Sequence, residues 1–374
     1  MEERIRAIVQ ERLTALGAGE VSFAVEWPSD PAHGDFAVNA ALAASKQLGK
    51  SPKEVAEDLA PSLIAGLATD AVRVEVAGPG FINITLSPDA IAAALTGATS
   101  DGWGKRTTQP DTRIMVEYSC PNPFKEMHIG HLMSTVIGES VSRLIESTGA
   151  EVVRDTYGGD VGPHVAKALW GLAEMRSDSA EDIGAAYAKG SRAYEESEDA
   201  KAAIDAMNTA IYAMLEKDPA ELTGAERELY EVWLHGREVS MAAYRALWNR
   251  LGSHFDYTLF ESETAPIGMR VVKDQIATGV FKESEGAIVY KGEKKGLHTL
   301  VFITSRNTPT YEAKDIGLAF LKEERVQPDE VLILTAAEQV GHFQVVIAAL
   351  SECAPNLAQK MAHIPHGFLR LATG

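Results

Sequence analysis

Cysteine is almost missing from this 374-residue sequence: there are two, Cys120 and Cys353, and no Cys-x-x-Cys pair. No structural zinc is therefore expected, and the usage fits a reducing compartment, the cytoplasm. Long apolar runs are missing as well. None approaches the ~18–20 residues that a membrane-spanning helix needs, so no membrane contact is expected. The chain opens Met1-Glu2-Glu3-Arg4, without the apolar stretch a signal peptide carries. Positive charge is in deficit: 35 Lys and Arg face 53 Asp and Glu, a formal net charge of −18. That balance works against nucleic-acid binding, because phosphates are held chiefly by Lys and Arg. The deficit is uneven, however. Much of the acid lies between residues 178 and 231, and a local basic face can coexist with it.

What is present is an ordinary globular composition over a length that suits two or three domains. Residues 1–108 read as a small α/β domain. Helices are expected over 2–16, 39–48 and 52–67, the last opened by Ser51 as cap with Pro52 at its first position. Residues 72–76 and 81–86 alternate like strands around the turn Gly78-Pro79-Gly80. A polar stretch with Gly and Pro, residues 100–111, reads as a linker.

A second domain, residues 109–374, follows. It begins with a strand at 113–118, a helix at 132–148 and a strand at 151–157. Residues 171–250 are helical in pattern, rich in alanine and acid, with Tyr187, Tyr194, Tyr212, Met214, Tyr230 and Trp233 recurring as core-facing residues do. Short strands are expected at 287–290 and 300–303, with Lys291 to Lys295 as a solvated hairpin tip. Residues 331–335 form an unbroken apolar run, as expected of a strand buried on both faces of a parallel sheet. A helix over 345–350 and a last strand over 361–371 complete the pattern.

One stretch organises the rest. Residues 116–118 end an apolar strand, Pro121 and Pro123 turn the chain out of helix, and a periodic segment follows His131. Strand, loop and helix form the place where α/β sheets bind ligands, and the helix start offers free N–H groups to phosphate. Gly130 removes a side chain where a nucleotide could approach the backbone. His128 and His131, three apart, share a helical face. Two such histidines can also be a plain polar helix start or half a metal site.

The wider pattern is more specific. Ser119, Pro121, Asn122, Lys125, His128, Gly130, His131, Ser134 and Thr135 match a Ser-x-Pro-Asn-x-x-Lys-x-x-His-x-Gly-His-x-x-Ser-Thr signature. It resembles the HIGH signature of class I aminoacyl-tRNA synthetases in its arginyl-tRNA synthetase form. Gly34-Asp35-Phe36-Ala37 and Gly78-Pro79-Gly80-Phe81-Ile82-Asn83 resemble that family's amino-terminal domain, which touches the tRNA elbow. The same words also read as turns and sheet edges that hold the domain together. Gly159-Asp160-Val161-Gly162 departs from the family's usual Gly-Asp-Trp-Gly, which puts a ring-stacking role at Val161 in doubt.

The resemblance implies a small amino-terminal α/β domain followed by a Rossmann-like catalytic domain with a large, partly helical insertion over about residues 172–304. It also implies ATP-dependent activation of L-arginine and transfer to tRNA(Arg), with Mg2+ accompanying ATP, in a monomer. Little proton transfer is needed in that chemistry, so positioning and charge stabilisation carry the rate. The catalytic residues would be His128, His131 and Lys125, which with Gly130 would hold ATP. Ser134 would support the helix. A guanidinium needs a carboxylate that matches its fork of donors. Asp315 is the first choice, with Tyr311 beside the alkyl stem and Glu261 as a second carboxylate. Asn122, Ser119 and Gln339, with Glu117 nearby, would take the substrate's amino and carboxylate end.

Two other classes remain open: a non-catalytic tRNA- or nucleotide-binding module derived from a synthetase, and a class I synthetase or adenylyl transferase for another amino acid. In the family, a Lys-Met-Ser-Lys-Ser-type loop and a helical anticodon-binding domain come after the segment that Phe368 to Gly374 resembles. Their absence leads us to expect a shortened chain with much reduced or no aminoacylation activity.

Overall fold

The computed structural model describes residues 1–100, 102–175 and 182–367. The chain divides into two compact units, Met1–Gly104 and Lys105–Gly374. In the first, α1 (Glu2–Ala15) is followed by β1 (Val25–Glu26), β2 (Phe36–Val38), α2 (Ala40–Leu48), α3 (Pro52–Leu67), β3 (Ala71–Ala77), β4 (Phe81–Leu86) and α4 (Pro88–Ala98). The four strands form an antiparallel sheet in the order β1-β2-β4-β3. Ser51 and Glu54 close a reciprocal cap at the start of α3, each accepting the other's backbone N–H. Ile5, Val9 and Leu13 form one stripe of α1, and Val55, Leu59, Leu63 and Leu67 form one of α3. Both stripes are buried with Ile82 and Ile84 of β4. Asp35 ties the β2–β4 edge: its N–H bonds Ile84 O, and its carboxylate accepts the Leu86 N–H at 2.7 Å.

The second unit is built on five parallel strands: β5 (Arg113–Glu117), β6 (Glu151–Gly158), β7 (Tyr257–Phe260), β11 (Glu330–Ala336) and β12 (Met361–His366). Their order is β12-β11-β5-β6-β7. Successive crossovers therefore build outward from β5 on one side and return to its other side at β11, so the topological switch lies between β5 and β11. The crevice above a switch point is where open α/β sheets place ligands. Ile114, Met115 and Val116 of β5 are all buried, as a central parallel strand requires.

Between β5 and β6 lies α5 (Ile129–Glu146). Between β6 and β7 lie α6 (Pro163–Met175), α7 (Ile183–Glu196), α8 (Glu198–Leu215) and α9 (Gly224–Arg250). Their shared core holds Phe124, Leu169, Ile204, Ile211, Met214 and Trp233. After β7 come α10 (Glu261–Asp274) and an antiparallel three-stranded sheet of β8 (Phe281–Ser284), β9 (Ala287–Lys291) and β10 (Thr299–Ile303). Then follow α11 (Tyr311–Arg325), β11, α12 (Val340–Cys353), α13 (Pro355–Ala358) and β12.

The structure differs from the sequence pattern in three places. Helix α5 begins at Ile129, three residues earlier than its periodicity suggests, because His128 caps it. The span 172–304 contains β7 and α10, of which β7 belongs to the main sheet; Tyr-Thr-Leu-Phe is too short to show an alternation. Strand β12 ends at His366, and the expected continuation to residue 371 passes outside the described residues after 367. Among the described residues, no helix is long and apolar enough to cross a membrane.

Helices α10 and α11 touch backbone to backbone. A Cβ on Gly268 would lie 1.8 Å from Ala313 O, and one on Gly317 would lie 2.1 Å from Thr264 O. This contact sets the spacing of Glu261 on α10 from Tyr311, Lys314 and Asp315 on α11. Gly317→Ala and Gly268→Ala should each cost on the order of 1–3 kcal/mol by overpacking, read as a lower urea midpoint. Gly341→Ala, where a Cβ meets nothing within 4 Å, should be neutral or slightly stabilising.

Candidate active site

The loop from β5 to α5 leaves the carboxyl end of the central strand in an unusual conformation. Ser119, Cys120 and Phe124 hold φ values of 71°, 47° and 67°, a region that costs side-chain-bearing residues free energy unless surroundings enforce it. Three elements enforce it. The Ser119 N–H donates to Ser134 Oγ of α5 at 3.1 Å, Cys120 N–H to Thr156 Oγ1 of β6 at 3.1 Å, and Phe124 N–H to Ser240 Oγ of α9 at 3.0 Å. The Tyr244 hydroxyl of α9 donates to the carbonyls of Asn122 and Lys125, at 2.8 and 2.5 Å.

The loop delivers His128 and His131 to the first turn of α5. Each caps the helix through Nδ1: His128 Nδ1 accepts the Gly130 N–H at 3.1 Å, and His131 Nδ1 accepts the His128 N–H at 3.2 Å. With Nδ1 an acceptor, the proton of a neutral ring sits on Nε2, which is left as a donor. The rings lie 3.9 Å apart. Burial, with the charges of His128 and Lys125, lowers the His131 pKa to about 4, so that ring is neutral near pH 7. The pair thus offers N–H donors at a helix N-terminus, an arrangement suited to anionic oxygen. The Lys125 ammonium rests 4.9 Å from the Tyr187 ring centroid.

The acidic candidates are already partnered inside the protein. Glu117, at the end of β5, and Asp155 of β6 both meet the Lys322 ammonium of α11, at 2.6 and 2.9 Å. All three are buried. Two carboxylates share one lysine, and burial lifts the Glu117 pKa to about 7, with Lys322 opposing and Asp155 reinforcing the rise. Glu261, the first residue of α10, pairs with Lys314 of α11 at 2.6 Å, again in a buried setting. Asp315 meets His342 Nε2 of α12 at 2.5 Å, and Glu312 approaches Nδ1 of the same ring at 3.5 Å. The Asp315 side chain keeps 14% of its accessible surface, against 5% for Glu117 and Glu261. It is the one of the three still open to a ligand.

Around this acid set the other candidates divide. Asn122 Oδ1 accepts the Gly159 N–H at 3.0 Å, beside Glu261. Tyr311 is 60% exposed, with Lys314 Nζ 5.0 Å from its ring centroid. Gln339 is exposed at the cap of α12, three residues before His342. Ser119 is different: its hydroxyl accepts from Thr135 Oγ1 and Trp248 Nε1, both at 2.9 Å, within the buried floor of the loop. Asp160 lies under the site, accepting from Ser262 N–H, Ser262 Oγ and Arg237. Among the described residues no group of three or more His, Cys, Asp or Glu is placed to hold a metal ion.

Sequence reasoning passed over Lys314, Lys322, His342 and Asp155. A signal existed for one: Lys322 falls seven residues after Asp315, on the same face of an amphipathic helix, where a lysine needs a buried partner. The Glu117 cluster gives a test. The folded-state pKa of Glu117 lies above its unfolded value of about 4.5, so the associated stability is present below about pH 4.5 and lost as pH rises through about 7. Glu117→Gln removes the titration. Relative to that variant, the wild type should lose on the order of 3 kcal/mol between pH 4.5 and 8.5, measured by urea unfolding across the range.

Residues 93–371 match the family described as tRNA synthetases class I (R), catalytic domain. Residues 3–86 match the arginyl tRNA synthetase N terminal domain. The arginine--tRNA ligase of Ectopseudomonas mendocina is 31% identical over 368 residues, covering 93% of this chain and 61% of the relative. That of Laribacter hongkongensis is 30% identical over 371 residues, covering 95% and 62%. The chain therefore spans about three fifths of the length of these curated relatives. In fold it is similar to the arginyl-tRNA synthetases of Plasmodium falciparum (TM-score 0.69, 20% identity, 98% of this chain and 65% of that one) and Thermus thermophilus (TM-score 0.68, 22%, 98% and 66%). With its catalytic-domain match spanning most of its length, the chain belongs to the arginyl-tRNA synthetase family of class I tRNA synthetases.

Proposed function

We propose that this chain carries the amino-acid-activating centre of an arginine--tRNA ligase, joining L-arginine to ATP as arginyl-adenylate for transfer to tRNA(Arg). The observation that carries this reading is the state of Asp315. It is a carboxylate at the rim of a buried acid cluster, with one oxygen held by His342 and some of its surface left open. An open carboxylate on a fixed helix face suits a guanidinium, which donates through a planar fork. Tyr311, one turn earlier on α11, would cover the alkyl stem.

His128 and His131 would donate through Nε2 to the phosphates of ATP as charge develops there. Lys125 would add its charge, and Gly130 would let the nucleotide lie on the backbone. Asn122 and Gln339 would take the polar end of the amino acid, while Glu261, closed off by Lys314, would hold α11 in place. Glu117 and Ser119 would act from beneath, Glu117 by fixing Lys322 and Ser119 by holding the loop. Mg2+ would arrive with ATP, since that ion keeps waters and phosphate oxygens as ligands. The work proposed for the protein is positioning and charge stabilisation rather than proton transfer. We further propose that the chain acts in the cytoplasm and as a monomer.

Removing the carboxylate charge tests the reading. Asp315→Asn should weaken arginine binding at least a hundredfold, on the order of 3 kcal/mol or more, because a desolvated guanidinium loses its counter-ion. Calorimetric titration of both proteins with arginine measures it. Equal affinities would remove Asp315 from the site.

A further inference from the structure

The contact that holds Asp315 also defines what the seat can accept. His342 is the third residue of α12 and bridges two acids of α11: Nε2 lies 2.5 Å from Asp315 Oδ2 and Nδ1 lies 3.5 Å from Glu312 Oε1. Both nitrogens face carboxylates, so the ring is held in the form in which both are donors, the imidazolium. Burial works against that charge, but the two carboxylates outweigh it and lift the His342 pKa to about 10. His363 of β12 also lies near the ring: it stacks on Phe343 with centroids 4.4 Å apart, and burial together with the charge of His342 lowers its pKa. With Glu312 and Asp315 ionised and His342 protonated, the cluster carries a net charge of −1. That is the complement of one monovalent cation.

Resting on the proposed arginine site, we propose that His342 is a positioning and specificity-determining residue of the guanidinium seat. It holds one oxygen of Asp315, leaves the other for the ligand, and surrenders its own proton in part when arginine binds at alkaline pH. The balance is simple. The guanidinium brings one positive charge to Asp315, and the imidazolium loses a proton to solvent to the extent that the two cations repel. No covalent bond changes. A neutral isostere such as citrulline brings no charge, so it neither completes the cluster nor displaces a proton.

The linkage is reciprocal: if arginine lowers the affinity of His342 for its proton, raising the pH raises the affinity for arginine. A new cation within about 4–6 Å shifts a pKa by about 1–3 units. From a starting value of about 10, the ring would then titrate in the bound state within reach of pH 8.5.

The test is calorimetric titration of the whole chain with arginine at pH 8.5 in two buffers of different ionisation heat. The same titration is run on His342→Gln, which keeps a donor toward Asp315 and cannot titrate. The wild type should release on the order of half a proton more per arginine than the variant, since the ligand's own amino group contributes equally to both. Between pH 7.5 and 9, wild-type affinity should rise several-fold relative to that of His342→Gln. Equal proton counts in the two proteins would overturn the proposal while leaving the arginine site intact. If the wild type binds no arginine, the functional reading falls and this inference falls with it. A second measurement needs no variant: the ring resonances of His342, followed by NMR against pH, should shift their midpoint down by at least one unit when arginine is added. An unchanged midpoint would overturn the proposal even if His342→Gln fails to fold.

Discussion

Two lysines on the buried face of one helix hold this site together. Lys314 and Lys322 lie on α11, and each finds its counter-ion on a different element: Glu261 on α10, and Glu117 at the end of β5 with Asp155 inside β6. A buried ammonium without a partner is among the costliest features a fold can carry, so these contacts fix α11 against the sheet in position and rotation. Once α11 is fixed, Tyr311 and Asp315 are fixed with it, because they lie on the same helix within three turns of Lys322. The close approach at Gly268 and Gly317 sets the distance to α10. The acid set is therefore divided: the deep carboxylates anchor the helix, and the shallow one, Asp315, keeps part of its surface open.

The His128 loop obeys a similar logic by other means. Its backbone enters the left-handed region at three side-chain-bearing residues, and hydroxyls from α5, β6 and α9 hold it there. The long helix α9 thus reaches across to the sheet and sets the loop that starts α5. The two histidines then spend their Nδ1 lone pairs on the helix cap and leave Nε2 as a donor. A single sequence block provides the cap, the donors and the exit from the strand.

Much of this was legible in the sequence, and unevenly. The capped helix at Pro52, the unbroken strand near Val331 and the His128 block carry strong local signals: a cap with its proline, an apolar run, and a nine-residue signature. Strand β7 gave none, because four residues have too little length to show a period and its partner β6 lies some hundred residues earlier in the chain. The partnering of the acids was hidden for the same reason. Glu117 and Lys322 are 205 residues apart, and the helical periodicity that puts Lys322 on the inner face of α11 does not say which acid it meets. Ser119 shows the reverse case: a polar residue inside a functional motif whose hydroxyl the structure turns into the protein, toward Thr135 and Trp248.

The central claim is that Asp315 is a charge-selective seat for a guanidinium. It is tested most directly by titrating this chain with arginine and with citrulline, which keeps the shape of arginine and lacks its charge. The account predicts that arginine binds and that citrulline is weaker by at least two orders of magnitude, because it brings no charge to the acid cluster of Asp315, Glu312 and His342. Comparable affinities for the two would contradict it.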